Sequence, residues 1–506
     1  MKQYPIIFLL LILSFGCSQK KLSATLEKYQ PLVHFSPGKV WNSDVMGLVS
    51  EDGRFHLFYQ VIPENSKSGK LEWKRASSEN LIDWNRNESL NLPEGAEGIL
   101  FSSVVVDAQN TSGLGKDGKA PWVALASEPA KDELQKNVVD FGSLALVYSI
   151  DGGQNWTKSP SLPNSNPSGL EKCRFPRISW NDEIKKWILV GSKGDHVAFY
   201  SSPDLLSWTF ESDFGTTRGA HGGVWESVDL FKLEVKGSDE TQWVLAVSID
   251  NGTLNGGSGT QYFVGNFDGH QFEYTGEKPK WFDYGKDNYA GITCQDIKYG
   301  RRIFLGWMNN WQYANIVPTE KWRGAATIAR ELSLVKTGEK YFLRSLPVKE
   351  LDVLNEEASI FENLDGTDLL LSEKTGKLNG AARLVLRSDS LKSFTLSFSN
   401  TEGEEIVIGY DAATRNYFID RTRSGKVSFE KGFAKKQLAP RISSGQAMDL
   451  TVILDQASIE LFADGGLTTM TSLFFPNIPV TEMHIRSNEG FMLKSVEYSR
   501  LKKIWN

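Results

Sequence analysis

The chain has 506 residues, a length that points to two domains, and its net charge of −6, from 56 basic and 62 acidic residues, gives no electrostatic basis for binding nucleic acid. Apolar residues make up 40% and charged residues 23%, which suits packed domains and excludes a disordered chain. Three cysteines exclude a disulfide framework and no Cys-x-x-Cys pair offers a zinc site, while 15 Trp, 15 Tyr, 28 Phe and 45 Gly lean towards an all-β fold.

The first element reads as an address. Lys2 precedes an apolar run, Ile6 to Leu13, that is too short to span a bilayer and ends in Ser14-Phe15-Gly16-Cys17. A small residue followed by Cys at the end of such a run reads as a bacterial lipoprotein signal, residues 1–17, with Cys17 as the lipid site and residues 18–28 as a polar tether. An ordinary secretory signal with an incidental cysteine is the plainer reading of the same residues. Either way the protein is expected outside the bacterial cytoplasm; with the anchor it sits on a membrane, periplasmic or at the cell surface. Cys173 and Cys294 are then expected as buried free thiols.

Next comes a repeat. Ala76-Ser77-Ser78-Glu79-Asn80-Leu81-Ile82-Asp83-Trp84 returns as Tyr148 to Trp156, again as Tyr200 to Trp208, and in degenerate form as Gly265 to Phe272. Each copy reads as a strand end, a polar Asp/Asn/Gly turn and an aromatic residue opening the next strand. Apolar strands are predicted at 55–59, 122–125, 187–190, 243–247 and 303–307. Five units of about four strands each predict a five-bladed β-propeller over residues 29–349.

The texture changes in the stretch Pro347 to Glu356. Tryptophan is nearly absent from there until Trp505, and strands alternate cleanly. Phe394, Leu396 and Phe398 share one face, as do Leu450, Val452 and Leu454, and Asp455-Gln456-Ala457-Ser458 turns into another strand. Residues 350–506 are therefore predicted to form a β-sandwich, completing an all-β chain.

Three charged clusters stand at the heads of separate units: Trp41 to Gly47 around Asp44, Cys173 to Arg177, and Val224 to Phe231 around Glu226. Propeller blades converge on one axis, so an Asp and a Glu could face each other there and cleave a glycosidic bond. One carboxylate would attack the anomeric carbon while the other, protonated, serves the leaving oxygen. Taken singly, each acid also fits a satisfied polar turn, Asp44 as an Asx turn ahead of Gly47. Glu226, beside Trp225 in an apolar run, stands where a carboxylate is costlier to bury. The histidines 34, 56, 196 and 221 show no pairing that suggests a metal and read as packing or surface residues.

The strings His34-Phe35-Ser36-Pro37, Phe55 to Gln60, Asn110-Thr111-Ser112-Gly113, Gly306 to Asn315, Trp322-Arg323-Gly324 and Ser458 to Gly466 occur in an order that resembles glycoside hydrolase family 32, the invertase, inulinase and levanase family. The resemblance implies a five-bladed propeller followed by a sandwich, and a retaining β-fructofuranosidase acting on fructan, levan, inulin or sucrose-type substrates. It implies Asp44 as nucleophile and Glu226 as acid/base, with Gln60, Trp73, Phe101, Ser102, Arg174, Phe175 and Trp307 around the sugar. Two carboxylates and water suffice for that chemistry, so neither metal nor organic cofactor is expected.

Several positions depart from the family pattern. Phe175 stands where the Arg-Asp-Pro motif has its Asp, which in the family holds two hydroxyls of the fructosyl unit. Ser43, Val45 and Met46 replace the neighbours of the nucleophile, Ser227 replaces the Cys after the acid, and Arg75 replaces a His. The changes cluster at the sugar pocket, which fits an altered furanoside specificity. A second reading is a catalytically impaired, lipid-anchored glycan-binding protein on the same fold. Ser149 to Trp156 resembles the Asp box of sialidases, but five units and no Arg triad speak against that fold. The sandwich strings separate the chain from five-bladed arabinan and xylan hydrolases.

Overall fold

The structure, a computed structural model, describes residues 27–38, 40–63, 72–93, 100–129, 141–159, 169–170, 173–276 and 278–505. The signal segment with Cys17, and the tether up to residue 26, lie outside the described residues. Antiparallel blades follow one another at residues 40–89, 100–158, 174–214, 225–273 and 289–347, each a four-strand meander; the fourth adds a short strand, Lys280–Trp281. The apolar runs foreseen in the sequence are the second strand of every blade: Arg54–Pro63, Trp122–Pro129, Lys186–Ser192, Thr241–Ile249 and Arg301–Trp307. A strand with neighbours on both sides and other blades above and below is buried on both faces, which is why these read as continuous apolar segments.

The repeated string closes the turn between the third and fourth strands of the first four blades. A side-chain oxygen accepts two consecutive backbone N–H groups at each: Asn80 from Ile82 and Asp83, Asp151 from Gln154 and Asn155, Asp204 from Leu206 and Ser207, Asp268 from His270 and Gln271. The indole N–H of Trp84, Trp156 and Trp208 then donates to the carbonyl of Leu81, Gly153 and Leu205, three residues back, at 3.0, 2.9 and 3.1 Å. The repeat is thus one local hydrogen-bonding solution used four times.

Apolar clusters fill the seams between successive blades. The seam that closes the ring joins Val45, Leu57 and Tyr59 of the first blade to Ile292, Ile303 and Leu305 of the fifth. Cys173 and Cys294 are buried free thiols, as expected.

Beyond a short 3-10 helix, Lys349–Leu354, the strands from Ser359 onward form the sandwich. Their hydrogen-bonded order is continuous and folds over at the long last strand, Glu482–Arg500. One part of that strand pairs with Phe394–Ser399 and the other with Ala382–Ser388. The two halves face each other across one core that holds Phe394, Leu396, Phe398, Leu450, Val452 and Leu454, the faces read from the alternation.

Propeller and sandwich meet through buried charges. Arg330 donates to Asp283 at 2.9 Å and to Glu460 at 2.5 Å, and Arg421 donates to Asp287 at 2.7 Å. His34 lies between Asp455 and Glu460, 2.8 Å from each. Burial works against a charge on His34, but the two carboxylates outweigh it and raise its pKa to about 9. His34 is therefore a buried ionic link between the modules rather than plain packing.

Candidate active site

The first strand of every blade lies innermost: Val40–Glu51, Leu100–Val106, Arg174–Asn181, Trp225–Glu234 and Tyr289–Asp296 contact one another around the axis. Each of these strands slips register against its neighbour near its start. The slips fall between Asn42 and Gly47, between Phe101 and Ser103, between Arg174 and Arg177, between Glu226 and Val228, and between Tyr289 and Ile292. A bulge bends the strand and turns two neighbouring side chains towards one side. Because the inner strands all start from the same end of the ring, the bulges lie at one depth and surround one cavity.

In blades three, four and five the bulge is pinned by a non-glycine residue in the left-handed region: Phe175 at φ 41°, Ser227 at 39° and Ala290 at 46°. Such backbone costs about 1–3 kcal/mol per residue, and it persists where surrounding structure imposes it, typically at functional sites. The residue before each bulge is Arg174, Glu226 and Tyr289, and the three side chains converge. Arg174 Nη1 donates to Glu226 Oε1 at 3.1 Å, and Tyr289 Oη donates to Glu226 Oε2 at 2.8 Å. Glu226 keeps only 19% of its side chain exposed. Burial raises its pKa, and the Tyr289 hydrogen bond and the Arg174 charge only partly offset this. The result is a carboxyl whose pKa lies above its ordinary value, with a donor on each of its two oxygens.

The cavity beside it is lined, among the described residues, by Val45, Met46, Ser102, Phe175, Arg177, Glu226, Ser227, Tyr289 and Ala290. Of the residues expected from sequence, Ser102, Phe175 and Glu226 line it directly, and Arg174 joins through Glu226. The backbone of Asp44 runs in the inner strand of blade one at the bulge between Asn42 and Val45; its side chain lies outside the described residues. Phe101 packs edge-on to Trp73 at 4.4 Å, and Phe175 rests against the same cluster with Met46. Gln60 pairs with Trp73 in the ladder and is buried. Gln60 Nε2 and Ser102 Oγ are buried without a hydrogen-bond partner among the described residues, and of the two only Ser102 lines the cavity. Trp307 is fully buried and packs against Tyr289 and Trp311, so it supports the wall from behind.

Sequence reasoning missed Tyr289, and it placed Arg177 in a charged cluster without giving it a role. Tyr289 occupies in blade five the place that Glu226 holds in blade four, so aligning the heads of the inner strands would have found it. Arg177 donates to the carbonyl of Met46, tying blade three to blade one at the cavity floor.

A five-bladed propeller whose axial cavity holds one buried, donor-flanked glutamate, with a second acid on the inner strand of blade one, has the plan of a two-carboxylate glycosidase. The family model for the glycosyl hydrolases family 32 N-terminal domain matches residues 34–345, and that for the family 32 C terminal matches residues 350–505. The chain belongs to glycosyl hydrolase family 32 and is a glycosidase. It is 35% identical to a levanase of Bacillus subtilis, over 99% of this chain and 75% of that protein. It is 33% identical to an extracellular exo-inulinase of Aspergillus ficuum, over 95% of this chain and 96% of that one. The crystal structure of an exo-inulinase from Aspergillus awamori superposes with a TM-score of 0.83 at 31% identity, covering 95% of this chain and 99% of that one. A β-fructofuranosidase from Schwanniomyces occidentalis in complex with fructosyl-erythritol gives 0.82 at 27% identity, covering 94% and 98%.

Proposed function

We propose that this glycosidase is a retaining β-fructofuranosidase acting on fructan or sucrose-type substrates, with Asp44 as nucleophile and Glu226 as acid/base. The observation that carries the assignment of Glu226 is its setting: burial raises its pKa, and Tyr289 and Arg174 hold its two oxygens. In the first step Asp44 attacks the anomeric carbon while Glu226 passes its proton to the departing oxygen. Arg174 and Tyr289 stabilise the carboxylate left behind. In the second step that carboxylate takes a proton from water, whose oxygen displaces Asp44 and restores the configuration. Phe175 gives the cavity an apolar wall on the side where the family pattern has an acid, so on that side the sugar meets an aromatic surface, while Ser102 offers a polar atom. The relatives described as levanase and exo-inulinase support fructan-type substrates.

The test is release of reducing sugar from levan, inulin and sucrose, with the first-formed anomer read by NMR. Glu226→Gln is expected to lower kcat/KM by about 10²–10⁴ and Asp44→Ala to abolish turnover. Glycan binding without turnover over long incubation would overturn the enzyme in favour of a binding protein.

We further propose export with lipid attachment at Cys17, supported by the apolar run from Ile6 to Leu13 and by relatives described as extracellular. Radiolabelled palmitate should be incorporated by the wild type and not by Cys17→Ala. Equal labelling of both would refute the anchor.

A further inference from the structure

The five inner strands run on from the catalytic cavity, and their later halves open into a second, wider cavity at the opposite mouth of the channel. It encloses about 1840 Å³, counting the part open to solvent, and among its walls are Trp180, Asp229, Phe231, Thr293, Gln295 and Arg302. Arg177 is the one residue that lines both cavities among the described residues; the catalytic candidates Glu226 and Ser102 line only the first.

Two groups there are placed for a ligand. Arg302 reaches in from the second strand of blade five and lies over the ring of Phe231, with Cζ 5.5 Å from its centroid. Its Nε is buried with no hydrogen-bond partner among the described residues, an uncommon state for a guanidinium. Beside it, Asp229 accepts from the Thr293 N–H at 3.0 Å and the Thr293 hydroxyl at 2.8 Å, both through Oδ2, so Oδ1 takes no part in those bonds. Guanidinium and carboxylate offset each other's charge, which favours a neutral polar guest over an anion. A hydroxyl-bearing guest can use both groups, one hydroxyl donating to Asp229 and another accepting from Arg302. The half-buried Trp180 stands edge-on to Trp187 at 5.1 Å and adds an aromatic surface to the wall.

We propose that this far mouth is a second carbohydrate-binding site, in which Arg302 and Asp229 hold hydroxyls of a neutral saccharide beside Trp180. The choice of saccharide rests on the fructan reading above. Such a site would tether a polysaccharide and raise its local concentration without touching the reacting bond.

Affinity electrophoresis of the full chain in gels containing levan or inulin tests this. Glu226→Gln should still be retarded, whereas Arg302→Gln should bind about tenfold more weakly, the usual loss for a charged hydrogen bond. Trp180→Ala, which removes the aromatic surface and leaves Arg302 and Asp229 in place, should do the same. In parallel, Arg302→Gln should raise KM for the polysaccharide and leave kcat/KM for sucrose unchanged. Wild-type retardation of both variants, with unchanged circular dichroism, overturns the second site. If no substrate is turned over, the retardation assay still decides, so failure of the catalytic reading is distinguishable from failure of this one.

Discussion

Replacing Arg330 by Met removes the cation at the centre of the interface between propeller and sandwich. The guanidinium donates to Asp283 at 2.9 Å, to Glu460 at 2.5 Å and to the Thr471 hydroxyl at 2.7 Å, and the side chains of Arg330, Asp283 and Glu460 are at most 1% exposed. Breaking a buried pair from one side typically costs about 3–5 kcal/mol, because the partner's charge stays buried. Here the remaining partners soften the loss. Asp283 keeps the N–H and hydroxyl of Thr471, and Glu460 keeps His34 and the Ile328 N–H. The expected destabilisation therefore lies near the lower end, about 3 kcal/mol. Urea titration measures it, with tryptophan fluorescence reporting the propeller, since every tryptophan but Trp505 precedes residue 350, and far-ultraviolet circular dichroism reporting both modules. Adding Glu460→Gln to Arg330→Met should cost less than the sum of the two single changes by about 1–3 kcal/mol. A loss below about 1 kcal/mol for Arg330→Met, or strict additivity in the double variant, would refute the view that this network joins the modules.

Three further outcomes follow from the same geometry. Tyr289→Phe removes a donor that favours the Glu226 carboxylate, so the Glu226 pKa rises further; since the acid must be protonated, the alkaline limb of the kcat/KM profile should move to higher pH, and an unmoved limb would disprove the role. His34 has its pKa raised to about 9, so its stabilising contribution is complete below its ordinary value near 6.5 and fades as pH climbs through 9. Glu460, drawn down to about 2 by Arg330 and His34 against the effect of burial, contributes above its ordinary 4.5 and loses this as pH falls through 2. Thermal stability should thus peak between about pH 4.5 and 6.5, and His34→Gln should flatten the alkaline side. Phe175→Asp places at the cavity wall an acid that tolerates a φ of 41° better than Phe does, and kcat/KM on fructans should rise at least about tenfold if hydroxyl contacts are what the pocket lacks; a fall would show that the aromatic wall belongs to the substrate's recognition.

How far the sequence could be read depended on the range of the interactions involved. The blade turns were legible because Asn80, Asp151, Asp204 and Asp268 bond to backbone within three or four residues, so the motif carries its own geometry. The sandwich faces were legible because one side of each strand meets a single core, and alternation records that. Tyr289 was not legible, because it meets Glu226 across 63 residues and only after two bulges have turned both strands. No propensity marks a bulge whose left-handed residue is Phe, Ser or Ala rather than Gly. His34 was read as packing or surface for the same reason: its partners lie more than 400 positions away, and nothing local announces them.

That distance has a consequence for the order in which the molecule can assemble. The backbone at Leu32 and Val33, and the ring of His34, are held by Asp455 and Glu460, and the sandwich core is completed only by the strand Glu482–Arg500. As the chain is made from its first residue, the blades can gather while the carboxylates that fasten its beginning do not yet exist. Fastening must wait until nearly the last residue is present, which makes the joining of head to tail a late, slow and cooperative event. A chain cut short by its final 25 residues would lose the strand common to both halves of the sandwich, and with it the scaffold that holds Leu32, Val33 and His34 in place.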